Sequence, residues 1–178
     1  KDLSDIAQTN SKLYAVTINE YSDCEALFEE VYENTFVDYH DDEDAFSAEA
    51  TAVIMSYNVG GKTAKFKAIQ GVKRANVSDT QIYDLHKNGI NTYVEKLGVL
   101  QRSEGLVLSG EYLDIVLAEY WIRFRMEERA LRASVTNDKI PYTNIGIGIL
   151  VGEVEGTLQE AVTQGIISSG QYLSLIHI

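Results

Sequence analysis

The sequence has few of the residues that cross-link or interrupt a fold. It contains one cysteine, Cys24, and one proline, Pro141. A single cysteine cannot form a disulfide within the chain, and its helical setting favours a small buried hydrophobe over a reactive thiol. The most apolar run, Ile145 to Val151, is interrupted by two glycines and is far shorter than the roughly 20 residues of a membrane span. We therefore expect neither redox chemistry nor a membrane span.

Positive charge is missing from one long stretch of the chain. Residues 13–61 contain twelve Asp or Glu and no Lys or Arg, whereas the remainder has fifteen charges of each sign, so this stretch carries the whole net charge of -12. Such a field repels phosphate backbones, which excludes nucleic acid as an expected direct partner. Two interpretations stay open: a solvated acidic surface, or an edge that docks on a basic patch of a neighbouring subunit.

Strand and helix patterns alternate in the first half of the chain. The hydrophobic content of 45% is sufficient for the chain to build a core. Short β-rich runs at 13–18, 35–39, 64–66 and 91–95 predict strands. Helical spacing predicts helices between them. Alternation at this spacing indicates an α/β (α+β) fold with a partly parallel sheet, because each crossover returns over one face of the sheet.

Capping signals locate the helices of this half. Ser22 and Glu25 form a capping-box pair that predicts the start of a helix carrying Leu27, Phe28 and Val31. A second helix is expected within residues 45–57. Ser78 and Gln81 form another capping-box pair, and Gly89 is placed to end that third helix.

Two long helices are predicted in the second half. Residues 112–133 have one apolar side and, on the other, the favourable i,i+4 pairs Glu119–Arg123 and Glu128–Arg132. The apolar side is formed by Leu113, Val116, Tyr120, Phe124 and Leu131. Pro141 then breaks the chain.

The second long helix is expected from Thr143 to Gln164, with Gly165 at its C-terminal end. Its apolar stripe is formed by Ile147, Val151, Val154, Leu158 and Val162. Glycines at 148, 152 and 156 repeat at i+4 steps, which predicts a smooth stripe for close packing of another backbone. A dinucleotide fingerprint is excluded here, since that motif needs a preceding strand and a glycine-rich turn.

The most enzyme-like cluster follows the predicted strand at 35–39. It consists of His40, Asp41, Asp42, Glu43 and Asp44, at a strand end where α/β folds place carboxylates that bind Mg²⁺ or accept a phosphoryl group. Adjacent carboxylates on one turn point in different directions, however, so we favour a polar turn with Asp44 capping the next helix. No zinc-ligand spacing and no Gly-x-Ser-x-Gly motif occurs. We predict no enzyme and no cofactor.

Several segments together resemble a family of contractile phage tail sheath-like proteins. The matching segments are LYAVTI (13–18), TFVDYHDDEDAF (35–46), KFKAIQGV (65–72), the stretch 105–121 that ends in YLDIVLAEYW, KIPYTNIGIGIL (139–150) and QGII (164–167). They follow one another over most of the chain. It is this ordered set, rather than any one motif, that carries the resemblance.

The resemblance implies a structural subunit that polymerises with its copies as stacked rings around a tail tube and contracts to drive genome delivery. It implies a virion protein assembled in the bacterial host cytoplasm, with other sheath subunits and the tube protein as partners. It divides the chain into an α/β sheath-like domain (1–100) and a helical, tube-facing part (101–172). Matching motifs supply six interface or packing candidates: Phe66, Lys67, Gly71, Pro141, Tyr142 and Thr143.

Both ends depart from the family pattern. The chain starts at Lys1 without Met or signal peptide, so we expect a fragment that lacks the amino-terminal region and the C-terminal strand. Residues 173–178 (LSLIHI) resemble the translation of a sequencing-library adapter, and a genuine apolar terminal strand is the alternative. Two rival functions also stay open: a Mg²⁺-dependent phosphoryl-transfer or receiver-like domain using the cluster at 41–44, and a binding module that uses the acidic face.

Overall fold

A computed structural model describes residues 2–10, 12–42 and 58–169 of the chain. These residues form four β-strands and five α-helices. The chain divides into two compact units. The first, here called the sheet unit, comprises Lys1–Tyr57 and Lys62–Val116, and the second, the helix unit, comprises Asn58–Gly61 and Leu117–Ile178. The predicted α+β class, with a partly parallel sheet followed by two long helices, is confirmed.

The sheet unit holds most of the shorter elements. They are α1 (Asp2–Thr9), β1 (Tyr14–Ile18), α2 (Tyr21–Glu25), β2 (Thr35–Tyr39), α3 (Asp79–Lys87), β3 (Ile90–Lys96) and β4 (Val99–Arg102). The long helix α4 (Leu113–Thr136) starts at the end of this unit and continues into the helix unit, which also contains α5 (Asn144–Thr163).

The four strands lie in the order β1-β2-β3-β4. β1 pairs with β2 and β2 with β3 in parallel, because long connections return the chain to the same end of the sheet. β3 and β4 form an antiparallel hairpin. Its turn residues, Leu97 and Gly98, both have positive φ (53° and 78°), as a two-residue turn of type I′ requires.

The core of the sheet unit lies on both sides of the central strands. Its main cluster comprises Cys24, Tyr32, Val37, Tyr39, Leu85, Ile90 and Leu108. A smaller cluster joins Ile69, Val72 and Tyr93. The Tyr93 hydroxyl accepts a hydrogen bond from the Ile69 amide at 2.8 Å, which fixes the loop before α3 to the sheet. Cys24 is fully buried, as predicted.

A charged pair is also buried in the sheet unit. Asp38 on β2 and Arg102 on β4 lie on either side of β3, and Arg102 Nη2 donates to Asp38 Oδ2 at 3.0 Å. The guanidinium carbon is 5.3 Å from the centre of the Phe36 ring. Burial raises the pKa of the Asp38 carboxyl, and the neighbouring Arg102 opposes that rise. The pair therefore ties an edge strand to an inner strand through a side-chain contact.

Local sequence signals located several elements correctly. The three strands predicted at 13–18, 35–39 and 91–95 are β1, β2 and β3. Ser78 caps α3, since its hydroxyl accepts from the Gln81 amide at 3.3 Å and the Gln81 side chain accepts from the Ser78 amide at 3.0 Å. Gly89 follows α3 with φ of 70°, the left-handed conformation that ends many helices.

Two local predictions were wrong. Ser22 does not cap a helix, because α2 starts one residue earlier, at Tyr21, and ends at Glu25. Val31, expected on that helix, is exposed. Residues 64–66 do not form a strand either, since Phe66 has φ of 63°, which cannot continue an extended chain. Phe66 N and Lys67 O instead bond to the backbone of Arg102, at 3.2 and 3.0 Å.

Three further expectations fall outside the described residues. They are the helix within 45–57, the Asp44 cap with its neighbour Glu43, and the terminal stretch 173–178.

Candidate functional site

The long helix α4 carries its predicted apolar side, which is buried at the start of the helix and exposed further along. Leu113 and Val116 are buried at its start. Further along, Phe124 is 69% and Leu131 66% exposed, and Val135 lies four residues beyond Leu131 with 78% exposure. Residues 124, 131 and 135 share one face, because the steps of seven and four residues match two helical turns and one. Exposed apolar faces of this kind mark surfaces that bind other molecules.

The predicted stripe of α5 is also largely exposed. Ile147, Val151 and Val154 are exposed, and Leu158 and Val162 are half-buried. The buried positions of the helix are small residues: Gly146, Thr157 and Ala161. The helix therefore packs its small residues inward and leaves its larger aliphatic residues outward.

Charged side chains connect α4 to α5 within the helix unit. Glu160 on α5 accepts hydrogen bonds from Arg125 Nε at 3.1 Å and from Arg129 Nη2 at 2.8 Å. Glu153, one helical heptad earlier, lies 3.7 Å from Arg129 Nη1. Arg125 Nη1 also donates to Glu128 at 2.6 Å on its own helix. These residues form a network across the two helices, here called the arginine clamp.

A glycine on α5 makes room for the clamp. A Cβ atom at position 156 would lie 2.8 Å from Arg129 Nη1. The missing side chain therefore lets the guanidinium approach the α5 backbone. Of the three glycines predicted to form a smooth stripe, Gly148 and Gly152 differ from Gly156: a Cβ at either position would meet nothing within 4 Å among the described residues.

The arginine clamp should make the helix unit sensitive to acid. Hydrogen bonds from Arg129 and Arg125 lower the pKa of Glu160 below the ordinary value of 4.5. The stabilisation is thus present above that ordinary value and is lost as the pH falls through the lower pKa of the folded state. We expect Glu160→Gln to lower the melting temperature of the helices at about pH 7. The melting temperature of the unmodified protein should fall as the pH is lowered, and most of that fall should be absent in the variant. Circular dichroism melts at several pH values measure both effects.

The control for this prediction is an exposed pair on α4 alone. Arg123 Nη2 donates to Glu119 at 3.3 Å, and both side chains are more than half exposed. Glu119→Gln should change the melting profile little, since exposed i,i+4 pairs contribute little to stability. Equal effects of the two substitutions would show that Glu160 does not hold the helices together.

Three of the six predicted interface candidates lie in one loop of the sheet unit. Phe66 is 59% exposed, with the Lys65 ammonium 5.0 Å from its ring centre. Lys67 is half-buried. Gly71 has φ of 84°, and a Cβ there would meet nothing within 4 Å among the described residues. Lys65 itself donates to Glu104 at 2.6 Å, which anchors the loop.

The other three candidates precede α5 in the helix unit. Tyr142 is fully exposed. Thr143 is the N-cap residue of α5 with an extended backbone, and its carbonyl accepts from the Ile147 amide at 3.0 Å. A Cβ at Gly146 would collide with the Pro141 carbonyl oxygen, so glycine is required for this tight entry into the helix. The structure thus divides the six candidates into two groups of three, one in each unit.

The described part of the acidic cluster serves the sheet unit structurally. His40 is buried, with Nε2 3.0 Å from the Lys73 carbonyl oxygen, and its Nδ1 accepts from the Asp42 amide at 3.0 Å. Asp41 Oδ1 accepts from the Asn76 amide at 2.9 Å. Within residues 2–10, 12–42 and 58–169, no three His, Cys, Asp or Glu side chains are grouped to hold a metal ion.

Sequence reasoning missed the arginine clamp. The sequence does contain a signal for it, because like charges recur at helical spacing on each helix. Arg125 and Arg129 are four residues apart, and Glu153 and Glu160 are seven apart. The exposed pairs Glu119–Arg123 and Glu128–Arg132 were predicted correctly and are present at 3.3 and 3.0 Å.

Comparison with protein families finds a match to a tail sheath domain in the part of the chain that contains α4 and α5. More particularly, residues 113–175 match the family described as E217 tail sheath protein gp31-like, C-terminal domain. The match confirms the predicted resemblance to a phage tail sheath-like family over residues 113–175 and supports a structural role in a phage tail. No curated protein matches the chain. Among the described helices, none is long and apolar enough to cross a membrane.

Proposed function

We propose that this protein is a subunit of a contractile phage tail sheath, which polymerises with copies of itself around the tail tube and contracts to deliver the genome. The observation that carries the proposal is the match of residues 113–175 to a tail sheath C-terminal domain. On this proposal the protein is assembled in the bacterial host cytoplasm and belongs to the virion. It needs no cofactor and catalyses no reaction.

The exposed apolar faces of α4 and α5 support the assembly part of this proposal. Large aliphatic and aromatic side chains on both helices contact water in the single chain, which is unfavourable in proportion to their area. Contact with other subunits removes that area from water, as in other obligate assemblies. The helical part, predicted over 101–172, would then form the tube-facing region.

The arginine clamp gives these faces a defined direction. Because Arg125 and Arg129 reach Glu160 across the helix pair, they fix how α4 and α5 are rotated about their own axes. The exposed stripe of each helix is held outward as a result. Ion pairs suit this task, since their geometry specifies one arrangement where apolar contacts would tolerate several.

The six sequence candidates are assigned to subunit contacts on the same proposal. Phe66, Lys67 and Gly71 form one contact region, and Pro141, Tyr142 and Thr143 another. Exposure of the two aromatic rings supports this assignment, because aromatic side chains contribute disproportionately to protein interfaces.

Electron microscopy tests the proposal directly. The protein is expressed from its full native gene, purified, and imaged in negative stain beside a sedimentation assay and a Mg²⁺ titration of the same sample. Tubes or stacked rings without Mg²⁺ binding are expected. A monodisperse monomer that binds Mg²⁺ tightly would instead favour phosphoryl-transfer chemistry at Asp41 and Asp42 and overturn the sheath assignment.

Alanine at two glycines of α5 separates the stability of the single chain from assembly. Gly148 and Gly152 have free space around them, so each substitution by alanine should stabilise the helix by about 1 kcal/mol. If another subunit packs its backbone on this stripe, the same methyl groups obstruct the contact. We expect the double variant to melt at a higher temperature as a monomer and to sediment less as polymer.

Gly146→Ala is the matched control for that pair. It should lower the melting temperature, because its Cβ would collide with the Pro141 carbonyl. If the Gly148 and Gly152 variant assembles as well as the unmodified protein, no backbone of a neighbouring subunit packs on that stripe.

A further inference from the structure

The sheet unit separates its charges along the chain. The acidic stretch 13–61 is followed at once by residues 62–74, here called the basic loop, which contain five Lys or Arg and no Asp or Glu. Lys73 and Arg74 are exposed, and Lys67 is half-buried. Because the two blocks have opposite charge, the acidic block of one copy can attract the basic block of another copy.

Phe66 is the apolar centre of the basic loop. Its ring is mostly exposed, lies under the Lys65 ammonium and is followed by Lys67. Its backbone has φ of 63°, a conformation that costs a non-glycine residue roughly 1 kcal/mol or more. Two backbone hydrogen bonds to Arg102 hold it there. An aromatic ring kept in water by a strained backbone is typical of a binding residue.

The acidic stretch offers a surface with the opposite charge pattern. Val31 is 72% exposed, and its neighbours Glu29 and Glu33 are exposed carboxylates, as is Glu25 on α2. Glu29 also has a positive φ, of 70°, and its amide donates to the Asn88 side chain at 3.2 Å. These four residues, 25, 29, 31 and 33, are here called the acidic surface.

The acidic surface and the basic loop lie on different parts of the sheet. Glu25 ends α2, which packs on the edge strand β1, and residue 33 lies two residues before the start of β2. Phe66 and Lys67 bond to β4, the opposite edge strand. A contact between the acidic surface of one copy and the basic loop of another therefore joins two different patches. Contacts of this kind are heterologous, and they propagate into rings or helical arrays instead of closing into a dimer.

We infer that Phe66 and Lys67 of one copy dock on the acidic surface of a second copy, with the ring against Val31 and the ammonium against Glu29 and Glu33. The inference rests on the proposed function and names the partner of one of its contact regions. Complementary charge supports this occupant over a nucleic acid, whose phosphates the acidic surface would repel. Because exposed charges carry the contact, raising the salt concentration should weaken it.

A charge swap tests which residues face each other. Lys67→Glu alone and Glu29→Lys alone should each raise the critical concentration for assembly about five- to tenfold, measured by sedimentation. The double variant should recover most of the loss, because each copy again presents opposite charges to the next. Additive losses in the double variant would overturn the pairing.

Cross-linking provides a second test that does not depend on assembly strength. Copies carrying Phe66→Cys are mixed with copies carrying Val31→Cys and treated with a short bismaleimide, which should link the two kinds of copy. Leu97→Cys replaces Phe66→Cys in the control, since Leu97 is likewise apolar, exposed and at positive φ. Burial raises the pKa of the native Cys24 thiol to about 12, so it stays protonated and does not compete.

The outcomes separate this inference from the proposed function. Tubes formed by the unmodified protein, with no preferential link between positions 66 and 31, would overturn the docking and leave the sheath assignment standing. A protein that remains monomeric at all concentrations would overturn the sheath assignment, and the docking with it.

Discussion

Replacement of Arg102 by methionine is expected to destabilise the sheet unit by about 3–5 kcal/mol, the range for breaking one partner of a buried ion pair. The guanidinium is fully buried and donates to Asp38 at 3.0 Å. That bond is to Oδ2, and Asp38 Oδ1 has no hydrogen-bond partner among the described residues. Methionine would thus leave the buried Asp38 carboxylate without the positive charge and the hydrogen bond that offset the cost of its burial. Chemical denaturation followed by circular dichroism measures the change.

Removal of both charges should be milder than removal of one. In the double variant with Asp38→Leu and Arg102→Met, no uncompensated charge stays buried, and apolar side chains of similar size fill the site. We expect the double variant to recover at least half of the lost stability. A double variant as unstable as Arg102→Met alone would contradict this account, because the loss would then come from packing and not from the stranded charge. Arg123→Met, at an exposed pair, serves as the control and should change stability by less than about 1 kcal/mol.

The loss in Arg102→Met should also depend on pH. Burial already raises the pKa of Asp38, and loss of Arg102 removes the two largest interactions that oppose that rise, leaving the weaker charge interaction with His40. A carboxyl whose pKa is higher in the folded state binds its proton more readily there, so stability falls as the pH rises from the unfolded-state pKa to the folded-state pKa. The variant should therefore lose less stability at about pH 5 than at about pH 7. Equal losses at the two pH values would show that Asp38 is not the stranded charge.

Local signals in the sequence were sufficient for much of the fold. The side-chain bonds between Ser78 and Gln81 form between neighbours, so their spacing alone located α3. Val16 and Val37 lie in apolar, β-rich runs that became paired strands. Both long helices followed from their apolar spacing, and Pro141 separated them as expected.

Features that depend on distant residues were not accessible in this way. Residues 64–66 have strand-like composition, yet Phe66 adopts a positive φ because its amide bonds to Arg102, far away in sequence. Asp38 looked like an ordinary strand residue, and its burial depends on a partner two strands away. The same limit applies to the exposed stripe of α5. The apolar periodicity of α5 showed which side chains share a face. Which face points outward depends on the arginine clamp, whose residues lie on both helices.

Glutamate at two positions of that stripe should abolish assembly. Ile147 and Val151 lie one turn apart on α5, and both are exposed in the single chain. Burial of each at a subunit contact would contribute about 1.5–3 kcal/mol, so the pair accounts for a factor of roughly 100 or more in critical concentration. Buried carboxylates without partners add a further cost. Ile147→Glu with Val151→Glu should therefore leave the protein monomeric in sedimentation and electron microscopy.

Folding and assembly must be separated in this experiment. Because neither side chain is buried in the single chain, the double variant should keep its circular dichroism spectrum and much of its melting temperature. Thr80→Glu adds negative charge at an exposed site on α3, outside every proposed contact region, and it should assemble normally. Tubes formed by the double variant would show that this face of α5 is not a subunit contact. Equal loss in both variants would instead attribute the effect to added negative charge, since only the stripe positions are expected to be covered by a neighbouring subunit.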